Sequence, residues 1–372
     1  MTDADALLIG ASPIMLMRGV ILASRGAKVV LLERSDQPGG AWATPPLLGF
    51  DRVEAGVHLL EARPAFYSAL EQTGGMVLAT AELGRDFALL RGRRVSLSGA
   101  RAGFHAAVAA KALLRGERDK ATRIGVSALR AARQAGRPFR YPLGGAWDLT
   151  DGLLGQLRDL GAEVRFGAEV RGIGLKPSAG QVECETTIGT FRPGQVTVSS
   201  RAHAPLFIDG VRQAPETEPT TCHSVVLHVV DHAPGAFGYV EVLGDPVIKR
   251  VRDVSLFAAP SVPAGQALIC LQLREALPAD GLTLAGECRD NLVRLGLLSA
   301  GATVIAAARH DYGFVTITDH ALRHLRRLSG GLLDVLHSTD FADGYMATQA
   351  PTLRAARADR RRRPAFPSPT PN

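Results

Sequence analysis

Gly10, Ser12 and Met15 occupy the first, third and sixth positions of a turn between an apolar run, Ala4 to Ile9, and a helix-like run that opens at Pro13. Glu33 follows Gly10 by 23 residues at the end of a second apolar run, Lys28 to Leu32, and Gly39–Gly40 come soon after. This order predicts strand, turn, helix, strand and a terminal carboxylate. Such a unit aims helix N-terminal N–H groups at a pyrophosphate and a carboxylate at ribose hydroxyls. The usual pattern has glycine at all three turn positions, so the tight turn is kept while two glycines are replaced. Ser12 adds a Cβ and a hydroxyl able to donate to phosphate. Met15 is flexible enough to fit against a sheet, and Gly19, one helical turn on, restores some of the close packing.

Further candidates lie downstream. Arg250, within Val247 to Val254, has the planar fork that binds a carboxylate or phosphate in bidentate fashion, against the plainer reading of a solvated charge on an alternating strand. Lys249 precedes it in a register the sequence leaves open. His310 and Tyr312 flank Asp311 in a strand-like stretch and are candidates for a pocket wall. Trp42 and Trp147 read as packing residues.

The elements that must position these groups are those of a large α/β chain. With 372 residues and 46% hydrophobic content it can bury a sizeable core in two units. The net charge of +7 is largely arginine, since only five of 43 basic residues are lysine. The basic residues read as dispersed, apart from Arg360 to Arg363 ahead of a Pro-rich tail, and no aromatic-basic interleaving points to nucleic acid. Cys184, Cys222, Cys270 and Cys288 lack the spacing of a disulfide framework or a zinc site, so no metal is expected. Ala6 to Ser24 is apolar but contains Pro13 and Arg18 behind acidic residues, which predicts a retained cytoplasmic N-terminus and no integral membrane segment.

Along the chain, helices are expected at 63–74, 102–115, 120–135, 147–160 and 284–298. Short strands are expected over 76–97, with a turn at Arg91-Gly-Arg, and further strands at 162–175, 194–200, 222–275 and 303–317. The fold class is therefore α/β: a Rossmann-like dinucleotide-binding domain, a second mixed-sheet substrate domain and a helical excursion. The binding domain is expected to be discontinuous, from 1–75, 142–205 and 325–360. The substrate domain takes 76–141 and 206–324, and 361–372 form a tail.

The order of landmarks resembles the flavin-dependent amine oxidase superfamily, which includes protoporphyrinogen oxidases, phytoene-desaturase-like enzymes and, more distantly, UDP-galactopyranose mutases. The matching residues are the Gly10–Glu33 unit with Gly39–Gly40, Gly56-Val57-His58, Tyr141-Pro142-Leu143-Gly144-Gly145, the strand pair around Val170, and Ser338-Thr-Asp340 followed by Gly344-Tyr345. Ala41 stands where the family has arginine after the glycine pair. The resemblance implies noncovalent FAD held by Gly10, Ser12, Glu33, Gly39, Gly40, Val170, Asp340 and Gly344. It implies His58 along the flavin face, Arg250 near the substrate, Tyr345 as a further catalytic candidate, and a small-molecule substrate. The expected activity is oxidation of a C–N or C–C bond. A flavin-dependent isomerase or mutase is one alternative, and a cofactor-free descendant of the fold is another.

Overall fold

The computed structural model describes residues 2–43, 46–56, 60, 70, 78–80, 86–133, 140–201, 204–232, 237–255, 262–278 and 281–336. The chain opens with β1 (Thr2–Ile9), helix α1 (Pro13–Ser24) and β2 (Val29–Leu32), as the hydrophobic pattern predicts. Ser12 is the N-cap of α1 and Pro13 stands at its first position, where a missing N–H costs nothing. After β3 (Leu78–Thr80) come β4 (Phe87–Leu90) and β5 (Arg93–Ser96), joined through Arg91 (φ 50°) and Gly92 (φ 77°). Two left-handed residues are what a tight two-residue hairpin requires.

Helices α2 (Leu97–Leu114) and α3 (Arg118–Arg133) form the excursion. α2 starts five residues earlier than its apolar pattern suggests, because the Ser96 hydroxyl accepts from the Gly99 N–H and caps it there. Next are β6 (Arg140–Pro142), α4 (Gly145–Asp159), β7 (Glu163–Arg165), β8 (Val170–Lys176), β9 (Gln181–Thr186), β10 (Gly189–Ser199), β11 (Leu206–Ile208) and β12 (Val211–Gln213). The remainder comprises β13 (Thr217–Val230), β14 (Tyr239–Leu243), β15 (Ile248–Asp253), β16 (Gln266–Leu273), α5 (Gly281–Arg294), β17 (Thr303–Ile317), α6 (Asp319–Leu328) and β18 (Leu333–Leu336). The expected helix at 63–74 lies almost wholly outside the described residues.

Two sheets result. The first has the order β12-β11-β8-β9-β10-β1-β2-β7, with β18 also on β10, and its β10-β1-β2-β7 portion is parallel. α1 and α4 cover one face through Leu8, Met15, Leu16, Leu149, Leu153 and Leu157, and α6 covers the other through Leu322 and Leu325. The second sheet runs β17-β13-β16-β15-β14-β4-β5. Its outer face packs on α5 around Leu227, Ile269, Val251 and Leu292. Its inner face meets Val53 and Ala55 through Val226, Tyr239 and Cys270.

The first sheet is larger than its expected share of the chain. β11 and β12 extend it past 205, because Leu206 and Ile208 complete the hydrophobic back face. α6 likewise packs there from residue 319, ahead of the expected boundary at 325. Both segments are short, and neither carries a periodicity that names its partner.

Candidate functional site

The turn after β1 is built around Gly10, whose φ of +99° is the left-handed conformation a tight strand-to-helix turn needs. The Ala11 N–H donates to Glu33 Oε2 at 2.7 Å, and Ser35 donates to Glu33 Oε1 from its N–H at 2.9 Å and its hydroxyl at 2.6 Å. These bonds fix the Glu33 side chain beside the turn, 7% exposed. The strand pair containing Val170 lies alongside, since Ala168 N–H donates to the Glu33 carbonyl at 2.9 Å and Gly167 N–H to that of Ser35 at 3.0 Å. Half-buried Val170 packs against the core behind the sheet.

Gly39 and Gly40 close over the turn, with Gly39 N–H donating to the Ala11 carbonyl at 2.9 Å. Their φ values are +122° and +56°, and a Cβ on Gly40 would lie 3.0 Å from that of Ser12. The Cβ that Ser12 adds where the usual pattern has glycine is thus accommodated by glycine at 40. Gly19 supplies the close approach that Met15 does not, since its added Cβ would meet Leu157 at 3.0 Å. Met15 is fully buried between α1 and α4.

The Ser12 hydroxyl is buried and has no hydrogen-bond partner among the described residues, and it does not cap its own helix. Pro13 has no N–H, and those of Met15 and Leu16 donate to the Ser12 carbonyl at 2.9 and 3.0 Å. Among the described residues, the donors left at this helix start are the Ser12 hydroxyl and N–H and the Ile14 N–H. An anion at the helix N-terminus would satisfy them.

The second part of the site is the inner face of the second sheet. Strand register aligns His310, Ser224, Gln272, Arg250 and Glu241 in one row across β17, β13, β16, β15 and β14. Three neighbours in that row carry buried polar atoms without a partner among the described residues: Ser224 Oγ, Gln272 Oε1 and Arg250 Nε. A bulge between Ile248 and Arg250 resolves the register of Lys249. Ile248 packs into the outer core, so the extra residue changes the phase of β15 and brings Lys249 beside Arg250. Burial and the Arg250 charge lower the Lys249 pKa from its ordinary value. Neither cation forms an ion pair among the described residues.

Other charges on this face are matched. Arg101 of α2 donates to Glu241 at 2.7 Å and to the Tyr239 hydroxyl at 3.0 Å. Arg252, 2% exposed, stands 3.8 Å from Glu54, 3% exposed, and stacks on the Tyr141 ring at 3.7 Å. Glu54 also accepts from the Tyr141 hydroxyl at 3.0 Å and from the Ala146 N–H at the start of α4 at 2.5 Å. Burial raises the pKa of Glu54, with Arg252 opposing. This network joins the dinucleotide-type unit to the inner face, because α4 packs on α1.

The Tyr-Pro-x-Gly-Gly element earns its glycines here. A side chain at Gly144 would collide with the Asp148 carboxylate that receives its N–H, and Gly145 has φ +76°. Glu54, Arg252, Ser224 and Gln272 were not singled out in the sequence. The only signal for Glu54 is a carboxylate within an apolar stretch, and the others depend on strand register. His310 is half-buried, and desolvation lowers its pKa and so favours the neutral ring. Its ring centroid lies 5.5 Å from that of Tyr312. His58, Asp340, Gly344 and Tyr345 lie outside the described residues. Trp42 and Trp147 flank the first core and the helix start, as packing residues do.

Asp86, which accepts from the Tyr239 N–H at 2.8 Å, is pushed up to about 6 by burial. The folded protein therefore holds this proton more tightly than the unfolded chain. The linked stability is fully present below the ordinary aspartate value and is lost as pH rises through about 6. Against 3.8, that shift corresponds to about 3 kcal/mol. Urea midpoints of Asp86→Asn and wild type, followed from acid to neutral pH, should diverge by that order in favour of the variant at neutral pH.

No family model and no curated protein matches the chain. Among solved structures, a putrescine oxidase double mutant with redesigned cofactor binding is similar at 12% identity and TM-score 0.62, covering 96% of this chain and 99% of that one. Reduced UDP-galactopyranose mutase is similar at 14% identity and TM-score 0.59, over 95% and 96% of the two chains. A p-nitrophenol 4-monooxygenase of Pseudomonas putida is similar at 14% identity and TM-score 0.54, over 96% and 81%. The likeness is one of fold: a Rossmann-like α/β unit with a second mixed sheet, shared with an amine-oxidising enzyme and a mutase. Both are kinds of protein that the sequence motifs resemble.

Proposed function

We propose that this chain is an FAD-dependent oxidoreductase that oxidises a C–N or C–C bond of a small or medium-sized organic substrate. The observation that carries this reading is the turn itself: a left-handed Gly10, a fixed Glu33 side chain, Gly39–Gly40 closing overhead, and a buried Ser12 hydroxyl with no partner among the described residues. These residues fit the pyrophosphate and ribose of a dinucleotide. Ser12 and Ile14 would donate to phosphate, Glu33 would accept from ribose hydroxyls, and Val170 would line the adenosine side. Asp340 and Gly344 complete the proposed cofactor set, with His58 and Tyr345 as catalytic candidates. When bound, FAD supplies a hydride acceptor.

The chain's own groups then select and orient the substrate. Lys249 and Arg250, which form no ion pair among the described residues and share the neighbouring Glu241 with Arg101, hold an anionic group, and Ser224 and Gln272 offer adjoining polar contacts. Neutral His310 is able to accept a proton nearby. Matching Glu241 and Glu54 with Arg101 and Arg252 leaves little negative charge for an uncompensated cation.

The test is anaerobic mixing of FAD-loaded protein with a panel of amines, amino acids and phosphorylated substrates, following bleaching of the flavin band. Bleaching by an anionic substrate, with KM raised about 100-fold in Arg250→Leu and kcat less affected, supports the assignment. Bleaching by uncharged substrates alone, unchanged in Arg250→Leu, contradicts the role of Arg250. The fold likeness to a mutase supports a second reading, isomerisation without net redox, which predicts turnover only after chemical reduction of the flavin.

A further inference from the structure

The proposed cofactor turn has lost a charge. Ala41, exposed, follows Gly39–Gly40 where the resembled family carries arginine. The start of α1 offers N–H groups and only about half an elementary charge, whereas FAD brings a charged pyrophosphate and a ring that becomes negative on reduction. Of the arginines on this unit, Arg18 in α1 is held by Asp334 of β18 at 2.9 Å. Arg34 is exposed next to Glu33, at the ribose end.

Arg201 stands at the other end. Glu33 follows β2 and the phosphate donors follow β1, and the parallel order continues through β10 to β18. Ile9 pairs with Val198, so the chain leaving β10 emerges on the same carboxyl edge as the Gly10 turn, one strand farther from Glu33. A dinucleotide lies along such an edge, so the half of FAD beyond the pyrophosphate belongs on the β10 side. Ser200 stitches this edge to the second sheet: its N–H donates to the Leu336 carbonyl at 2.8 Å, and its carbonyl accepts from the Ile317 N–H at 2.9 Å. The Arg201 guanidinium then lies over the Phe314 ring, 3.6 Å from its centroid. Phe314, Tyr312 and His310 alternate along β17 and so share the inner face. Burial lowers the Arg201 pKa, opposed by nearby Cys222 and Tyr312, and a guanidinium stays charged throughout. A partly desolvated charge acts more strongly on its neighbours than one in water.

We propose that Arg201 supplies the cation for the ring half of FAD, standing in for the arginine absent at position 41, and favours the reduced cofactor over the oxidised one. This rests on the flavin reading above. Hydride transfer breaks a substrate C–H bond. The substrate is oxidised and gains one unit of positive charge, while the ring takes the hydride, is reduced and gains one unit of negative charge. A cation held beside the ring stabilises that product more than the neutral oxidised ring. Stacking on Phe314 holds the guanidinium in place, so little freedom is lost when the ring becomes charged. Binding of the substrate anion falls to a different place. Arg250 aligns with His310, two inward-facing positions along β17 from Phe314.

The test is the reduction potential of the FAD-loaded full chain, measured against a reference dye without any substrate, for wild type, Arg201→Leu, Arg201→Gln and Arg201→Lys. The two neutral variants are expected to bind reduced FAD about tenfold more weakly relative to oxidised FAD, a potential about 30 mV lower for this two-electron couple. Arg201→Lys should keep most of the wild-type value. Sulfite, whose addition also leaves negative charge on the oxidised ring, should bind the neutral variants about tenfold more weakly. FAD loading with an unmoved potential in Arg201→Gln or Arg201→Leu would overturn the proposal and leave the flavin reading intact. Equal losses of affinity for both redox forms would also overturn it, placing the cation on the pyrophosphate. A raised KM with an unmoved potential would do the same, placing it on the substrate. Failure of the wild type to take up FAD would remove both the proposal and the reading beneath it.

Discussion

Arg252→Ala is expected to destabilise the protein by about 3–5 kcal/mol, the largest stability effect predicted for a single substitution here. Arg252 is almost fully buried, stacks on Tyr141 and stands 3.8 Å from Glu54, so its removal leaves an almost fully buried carboxylate without its cation and a cavity against the ring. The Tyr141 hydroxyl and Ala146 N–H would remain on Glu54. They are neutral donors and do not replace the charge. Arg252→Met paired with Glu54→Gln separates the contributions, because the buried charges disappear together and most of the volume is kept. Urea unfolding of the single and double variants provides the measurement. A double variant more stable than Arg252→Ala by about 2 kcal/mol or more is the expected result. Similar losses in both would assign the effect to packing.

Glu33→Ala is expected to weaken FAD binding about 10- to 100-fold, as loss of a carboxylate acceptor for ribose hydroxyls should. The substitution also frees the Ala11 N–H and the Ser35 hydroxyl that hold the turn in shape. Glu33→Gln keeps an acceptor for Ala11 while removing the charge, so its affinity should fall between the two. Fluorescence titration of the apoprotein with FAD reads these affinities without any substrate.

Much of the first unit is visible in the order of residues because its elements are local. Val29 to Leu32 is a continuous apolar run, fit for a parallel strand buried on both faces, and Gly10, Pro13 and Gly39–Gly40 mark the turns by backbone requirements that few other residues meet. Even the serine that stands in place of glycine at position 12 has a geometric answer at Gly40, but that contact spans 28 residues and no local pattern signals it. The second unit is less legible. Arg250 stood out as a cation on a strand, yet its companions Ser224 and Gln272 come from β13 and β16, and only register brings them to one row. The phase of Lys249 depends on a single bulge, which alternation cannot foresee. Glu54 and Arg252 pair across nearly 200 positions, and each alone resembles an ordinary surface charge. The two excursion helices begin and end within five residues of their expected bounds, while the exposure of Phe104, Leu113 and Leu114 has no signal in a pattern that mixes apolar and basic residues.

The most direct test of the account is the visible spectrum of the freshly purified chain, followed by quantification of flavin released on denaturation, with Glu33→Ala treated identically. The account predicts flavin absorption with close to one FAD per chain in the wild type and a clear deficit in the variant. A colourless wild-type protein that also fails to take up added FAD would contradict it. In that case the Ser12 and Met15 replacements have ended cofactor binding, and the polar row on the second sheet serves redox-independent chemistry or a bound partner.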